Sequence, residues 1–164
     1  MSRREEILDA AERILSEEGI DRLSMRRLAE VVGVRAPSLY KHVADKAEVV
    51  AALQERGLRA LAEALAAAPP GLAGLAGAYR DWALAHRDTY VVVTRMPLHR
   101  ELLDPEAEEA AMAPVMRAAN GDHARARALW GAVHGLVDLE LSGRFPADAD
   151  IDAAWRAMVA AFEG

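Results

Sequence analysis

The chain contains no cysteine, which removes disulfides, thiolate metal centres and thiol nucleophiles together. Aromatic residues make up only 5% of its 164 residues, and with β-branched residues also sparse the composition speaks against a sheet protein. No run reaches the ~18 consecutive apolar residues that a membrane helix needs. The opening Met1-Ser2-Arg3-Arg4 leads into an acidic amphipathic segment and not into the apolar stretch of a secretory signal. A soluble, cytoplasmic protein with no membrane partner is expected. Internal repeats and low-complexity linkers are absent as well. What is abundant is alanine and leucine within 52% hydrophobic residues, a composition that favours helix and provides a core.

Net charge is -6, which taken globally argues against a nucleic-acid partner, but the charge is unevenly placed. From Arg22 to Lys46 six cations (Arg22, Arg26, Arg27, Arg35, Lys41, Lys46) face only Glu30 and Asp45, a local +4 that leaves -10 for the remainder. A basic face on an acidic body suits a protein that docks one end onto phosphates, although a basic stretch of this length is often a solvated surface.

Apolar spacing fills in the elements. Ile7, Ala10, Ala11, Ile14 and Leu15 define a first helix that Gly19 ends. Ser24 is the N-cap candidate of a short second helix, stopped by Gly33. A third begins within Arg35-Ala36-Pro37, where proline is tolerated in a first turn, carries Leu39 inward and runs to about Val43. Asp45, with Glu48 three residues on, forms a capping box for a fourth helix, which Pro69-Pro70-Gly71 breaks. Three short helices with a glycine turn and a proline start are what a helix-turn-helix requires. Further on, helices are expected from Leu72 to His86, Pro105 to Ala119 (with Pro114 inside), His123 to Ser142 and from Ile151, with an apolar stretch from Tyr90 to Met96 between the first two.

The segments Ile7-Leu8-Asp9-Ala10-Ala11, Ser24-Met25-Arg26-Arg27-Leu28-Ala29, Gly33-Val34 and Pro37-Ser38-Leu39-Tyr40-Lys41-His42-Val43 stand in order and at spacings that resemble the DNA-binding module of the tetracycline-repressor (TetR) family. Trp130-Gly131-Ala132-Val133-His134-Gly135, with Tyr79 to His86 upstream, is similar to a Trp-His-Gly branch of that family's sensor domains. Arg35 departs from the Ser or Thr that commonly opens the recognition helix. The resemblance implies an all-α protein: a three-helix helix-turn-helix module over residues 1–46, then a helical effector-binding and dimerisation domain over 47–164. It implies a transcriptional regulator, a repressor released from a palindromic operator by a small molecule, with no cofactor and no catalytic or metal site.

The resemblance places Tyr40 and Lys46 on phosphates, assisted by Ser38 and His42, with Ser24 in the same DNA-facing set. Arg35 and Lys41 project long donors that reach either guanine acceptors or phosphates, with Arg26 a further candidate for both. Ala36 and Pro37 can pack on a thymine methyl. Tyr79, Trp82, His86, Tyr90, Met96, Met112, Met116, Trp130, Val133 and His134 can line a pocket for an apolar or aromatic effector, or be ordinary core.

The last two helices are apolar on more sides than one core needs. Ala124, Ala128 and Ala132 with Gly131 and Gly135 offer a close-approach surface for a homodimer, the alternative being packing within one chain. Two other classes compete. A DNA-binding regulator without a ligand leaves the sensor residues as core. An all-α enzyme would draw on His86, His99, His123 and His134, with His134 and Asp138 at metal-ligand spacing, but no third ligand stands nearby.

Overall fold

Local signals set the helix ends. In a computed structural model of the chain, which describes residues 2–163, α1 (Arg3–Glu18) starts a turn earlier than its apolar spacing indicates. The Ser2 hydroxyl accepts from the Glu5 amide at 3.2 Å while the Glu5 carboxylate accepts from the Ser2 amide at 2.6 Å, a reciprocal box that satisfies two otherwise unpaired donors. In α2 (Met25–Val32) the Ser24 hydroxyl accepts from the Arg27 amide, and Gly33, at φ 74°, takes the left-handed turn that ends the helix.

α3 (Ala36–Leu39) is shorter than expected. Beyond it the amides of His42 and Val43 converge on the single Leu39 carbonyl, at 2.9 and 3.1 Å, so the chain tightens into a turn with no ladder to extend. α4 (Lys46–Ala66) is capped by Asp45, whose Oδ1 accepts from the Glu48 amide at 2.9 Å. The Glu48 carboxylate takes the Ala44 amide at 2.7 Å instead of that of Asp45, which moves the expected box one residue outward.

There follow α5 (Leu72–Ala85), α6 (Arg87–Arg95), α7 (Pro105–Ala118), α8 (His123–Leu141) and α9 (Ile151–Glu163). Asp122 caps α8 by accepting from the amides of Ala124 and Arg125. The fold is all-α, with no strand among the described residues, and no helix there is long and apolar enough to cross a membrane.

The chain gathers into two compact units that do not follow chain order: Met1–Leu58 with Asp88–Pro105, and Arg59–Arg87 with Glu106–Gly164. The first is built on a core that includes Ile7, Ile14, Leu28, Leu39, Val43 and Val49, joined by Val92 of α6. The fully buried Gln54 of α4 donates from Nε2 to the carbonyls of Val92 and Pro97, both at 3.1 Å. Val92 lies in the last turn of α6, where carbonyls lack helical partners and Pro97 blocks extension, so one amide side chain closes that helix end. Three residues on, Gly57 lets α6 approach: a Cβ there would meet Val93 Cγ2 at 2.5 Å and Thr89 Cγ2 at 2.8 Å.

In the second unit the Arg80 guanidinium of α5 grips Glu140 of α8 through two bonds of 2.9 and 2.8 Å and Asp152 of α9 through one of 2.6 Å. It also lies 5.5 Å from the ring centre of Trp155, the buried residue of α9. Arg80 and Glu140 are part-buried while Asp152 is exposed, and the fork geometry satisfies two carboxylates with one cation.

The glycines supply opposite tests. Gly57→Ala gains roughly 1 kcal/mol of helix propensity but forces methyl groups together at a β-branched wall, and should lower stability by about 1–2 kcal/mol net. Gly77→Ala, in α5 with open space around its Cβ, should raise it by up to ~1 kcal/mol. Urea-unfolding midpoints decide; midpoints that move in the same direction would contradict the α4–α6 packing.

Candidate nucleic-acid interface and ligand site

Between Arg35 and Lys46 only Leu39 and Val43 point inward, at 0% and 2% exposure, and every other residue is exposed. The i, i+4 pair fixes the short segment to the core and leaves Arg35, Ala36, Pro37, Ser38, Tyr40, Lys41, His42 and Lys46 on one solvent-facing surface. Tyr40 is 53% exposed, more than any other large hydrophobic among the described residues, so it is not a core tyrosine. Arg35 caps α3 with its backbone alone, leaving its guanidinium uncommitted.

Charge pairing sharpens the picture. Arg27 directs Nε and Nη2 at the Glu18 carboxylate, the shortest contact being 2.6 Å, and so braces α2 against the end of α1. Its partner Glu18 stands nine residues upstream, outside α2, where spacing along that helix gives no sign of it. Arg26 donates from Nε to Glu30 at 3.1 Å. Arg35, Lys41 and Lys46 make no ion pair among the described residues. The uncompensated positive charge therefore sits at the N-cap of α3 (Arg35), in the turn that follows it (Lys41) and on the first residue of α4 (Lys46), where the helix dipole adds to it. Ser24 is engaged as the α2 cap, which leaves its hydroxyl as a structural element of this face.

The sensor candidates are dispersed. Tyr90 is fully buried and Met96 packs on the first core; both belong to the unit that holds α1 to α3. The remaining eight lie in the second unit. There, Tyr79, Trp130 and Val133 line an apolar void together with Leu65, Leu72, Leu75, Ala76, Val115 and Leu129. Sequence patterning did not single out those six, because leucine and alanine at helical spacing look the same whether they face a neighbour or a hole. The Tyr79 and Trp130 rings meet edge-on at 5.3 Å, and His134 stacks on Trp130 at 6.4 Å. Trp82 stacks with the exposed His86, whose Nδ1 lies 2.9 Å from the Trp82 carbonyl, but neither lines the void. Met112 and Met116 are half-buried away from it. The void measures about 10 Å³, room for about one water.

A glycine-turn pair of short helices, the second flanked by unpaired cations, and a separate helical unit define a helix-turn-helix DNA-binding regulator. The chain belongs to the tetR family of bacterial regulatory proteins. The family model of that description matches residues 7–53, and that of the tetracyclin repressor-like C-terminal domain matches residues 72–162. An uncharacterised HTH-type transcriptional regulator of Mycobacterium tuberculosis is 36% identical over 172 residues, covering 95% of this chain and 78% of its own. A protein of unknown function from Rhodococcus sp. RHA1 shares the fold with a TM-score of 0.75 at 27% identity, over 99% of this chain and 93% of that one. The multidrug binding protein EbrR, solved with ethidium, gives 0.67 at 25% identity over 96% of each.

Glu18 and Glu30 are both held below the ordinary glutamate range, first of all by hydrogen bonds from Arg27 and Arg26 respectively. A carboxylate depressed in the folded state stabilises above its unfolded value, near ~4.3, and loses that contribution as pH falls through and below it. Thermal melts taken from about pH 6 to about pH 3 should therefore show a smaller acid-induced decline for Glu18→Gln than for the parent chain. An identical decline would mean that the brace adds nothing to stability.

Proposed function

We propose that the chain is a cytoplasmic repressor that binds a palindromic operator as a homodimer and is released from it by an apolar or aromatic small molecule. The observation that carries the reading is the exposed, unpaired cationic surface from Arg35 to Lys46 on a segment whose only inward residues are Leu39 and Val43. In this reading residues 1–46 contact DNA and residues 47–164 sense and dimerise. Tyr40, Lys46, Ser38 and His42 hold phosphates, Arg35 and Lys41 read base edges, and Ala36 and Pro37 touch thymine methyls.

Effector release is supported by chemistry and by likeness: the void is lined wholly by apolar and aromatic side chains, and EbrR was solved with ethidium. A drug-sized ligand needs roughly 300–1,000 Å³, far above the 10 Å³ of this void. An effector that enters this void must therefore favour a more open state, since a ligand that binds both states equally shifts nothing. The same small volume favours the second reading, a regulator without a ligand.

Tyr40→Ala and Lys46→Ala should weaken binding to all duplexes, the Lys46 change reducing the salt slope by about one. Arg35→Ala and Lys41→Ala should alter which operators are preferred, at roughly 1–3 kcal/mol on the best site for a bidentate contact. Gel shifts across a salt series measure both; four silent changes would end the DNA-binding assignment.

Dimerisation through α8 and α9 follows from specificity, because one recognition helix touches too few base pairs to stand out in a genome. Ala128, Gly131 and Leu139 are exposed along α8, and the Cβ positions of Gly131 and Gly135 are open. Ala132→Glu should yield monomers in sedimentation, with helicity retained and operator affinity lost. A parent chain that stays monomeric at micromolar concentration would refute this arrangement.

A further inference from the structure

α2 places two arginines, Arg26 and Arg27, in its first turn and no acid there. The amide end of a helix is positive, so carboxylates settle it and cations strain it. The one acid of α2, Glu30, stands a turn later, and an arginine preceding a glutamate at i, i+4 is the weaker order for a helix-surface pair. The layout costs the helix stability and gathers positive charge at a point suited to an incoming anion.

The two guanidinium groups are held differently. Arg27 is committed: Nε and Nη2 lie on Glu18, and Nη1 reaches Glu30 only at 3.5 Å. Arg26 offers Glu30 its Nε alone, at 3.1 Å, and its two terminal nitrogens make no bond among the described residues. Its side chain is 91% exposed, against 48% for that of Glu30. A guanidinium carries five donors in a rigid plane, so fixing the inner nitrogen fixes the direction of the outer pair.

We infer that Glu30 is a positioning residue for DNA reading: by holding Nε of Arg26 it aims that residue's terminal nitrogens at the N7 and O6 acceptors of a guanine. The inference rests on the DNA-binding reading above. An unanchored arginine samples many rotamers and meets phosphates as readily as bases, whereas an anchored one gives up little entropy on forming a two-pronged contact. The rival role for Glu30 is simple charge cancellation, which would weaken binding to every sequence alike. The two roles differ in sign when Glu30 is removed. Cancellation relieved raises affinity everywhere; an anchor lost flattens one base preference.

The experiment is selection from a library of randomised duplexes by the full-length chain, its Arg26→Ala, Glu30→Ala and Glu30→Gln variants, and the Arg26→Ala/Glu30→Ala double variant. Alanine and glutamine are good helix formers at this exposed position, and circular dichroism confirms that each variant is folded. Arg26→Ala should erase the preference at one base pair. Glu30→Ala should reduce the preference for guanine at that pair on the order of tenfold, and the double variant should be no flatter than Arg26→Ala alone. Glu30→Gln, whose amide oxygen still accepts from Nε, should keep most of the preference although it lacks the charge. If both Glu30 variants instead raise affinity for every duplex and leave base preferences intact, the positioning role is overturned, as it is if Arg26→Ala changes no preference. A parent chain that binds no duplex overturns the DNA-binding reading itself, a result distinct from either.

Discussion

A helix of four residues cannot stand on its own hydrogen bonds, and the exposed cationic surface around α3 depends on how that problem is met. A single turn fixes several backbone dihedrals for little hydrogen bonding and is unfavourable in isolation. α3 persists because Leu39 is driven completely into the core shared by α1, α2 and α4, with Val43 following one turn later. Burying a leucine contributes roughly 1.5–3 kcal/mol, enough to hold one turn that propensity would not. Everything exposed on the segment is positioned by those two side chains, so the spacing of Arg35, Tyr40, Lys41 and Lys46 is set by packing beneath them.

The acidic composition then acquires a specific use. Acids near the module neutralise the arginines that brace it, as Glu18 does for Arg27, and leave the cations flanking α3 unpaired. Exposed pairs of this kind contribute little stability each. Their larger effect is on the field, since a local positive face on a negative chain favours one orientation of approach to a polyanion and discourages others. Net charge alone misleads here because it averages over surfaces that never face the same partner.

Much of this was legible in the residues. Ser24, Gly33, Pro37 and Asp45 act through their own backbone neighbours, so their roles as caps and stops could be read locally and hold in the structure. The early start of α1 was readable too, in Ser2 with Glu5 three residues on, but the apolar spacing drew attention to Ile7. Other features depend on contacts remote in sequence. Nothing in the run Tyr90 to Met96 says that Gln54 will close that helix, and nothing in α4 says that Gly57 is small because α6 crosses there. The Arg80 clasp joins residues 60 and 72 positions apart and carries no local signature at all.

The ligand region shows the same limit in a sharper form. Of the ten sensor candidates nine are aromatic, sulfur-bearing or imidazole and one is Val133, and three of the ten line the void. Those side chains are conspicuous in a sequence because they are chemically distinctive, yet a wall is defined by shape, and leucine and alanine supply most of it. Interiors are packed to near-crystalline density, so a hole large enough for a ligand is costly to keep empty, and a small chain with a modest core can least sustain one. A sensor of this size is better served by a filled interior that opens only when an apolar molecule replaces the contacts it breaks. In such a design the work of opening is subtracted from ligand affinity, and that same work is what couples binding to a change of state. On the proposed reading the tight packing of Tyr79 against Trp130 is compatible with sensing, and its strength would set how apolar and how large an effector must be to part the two rings.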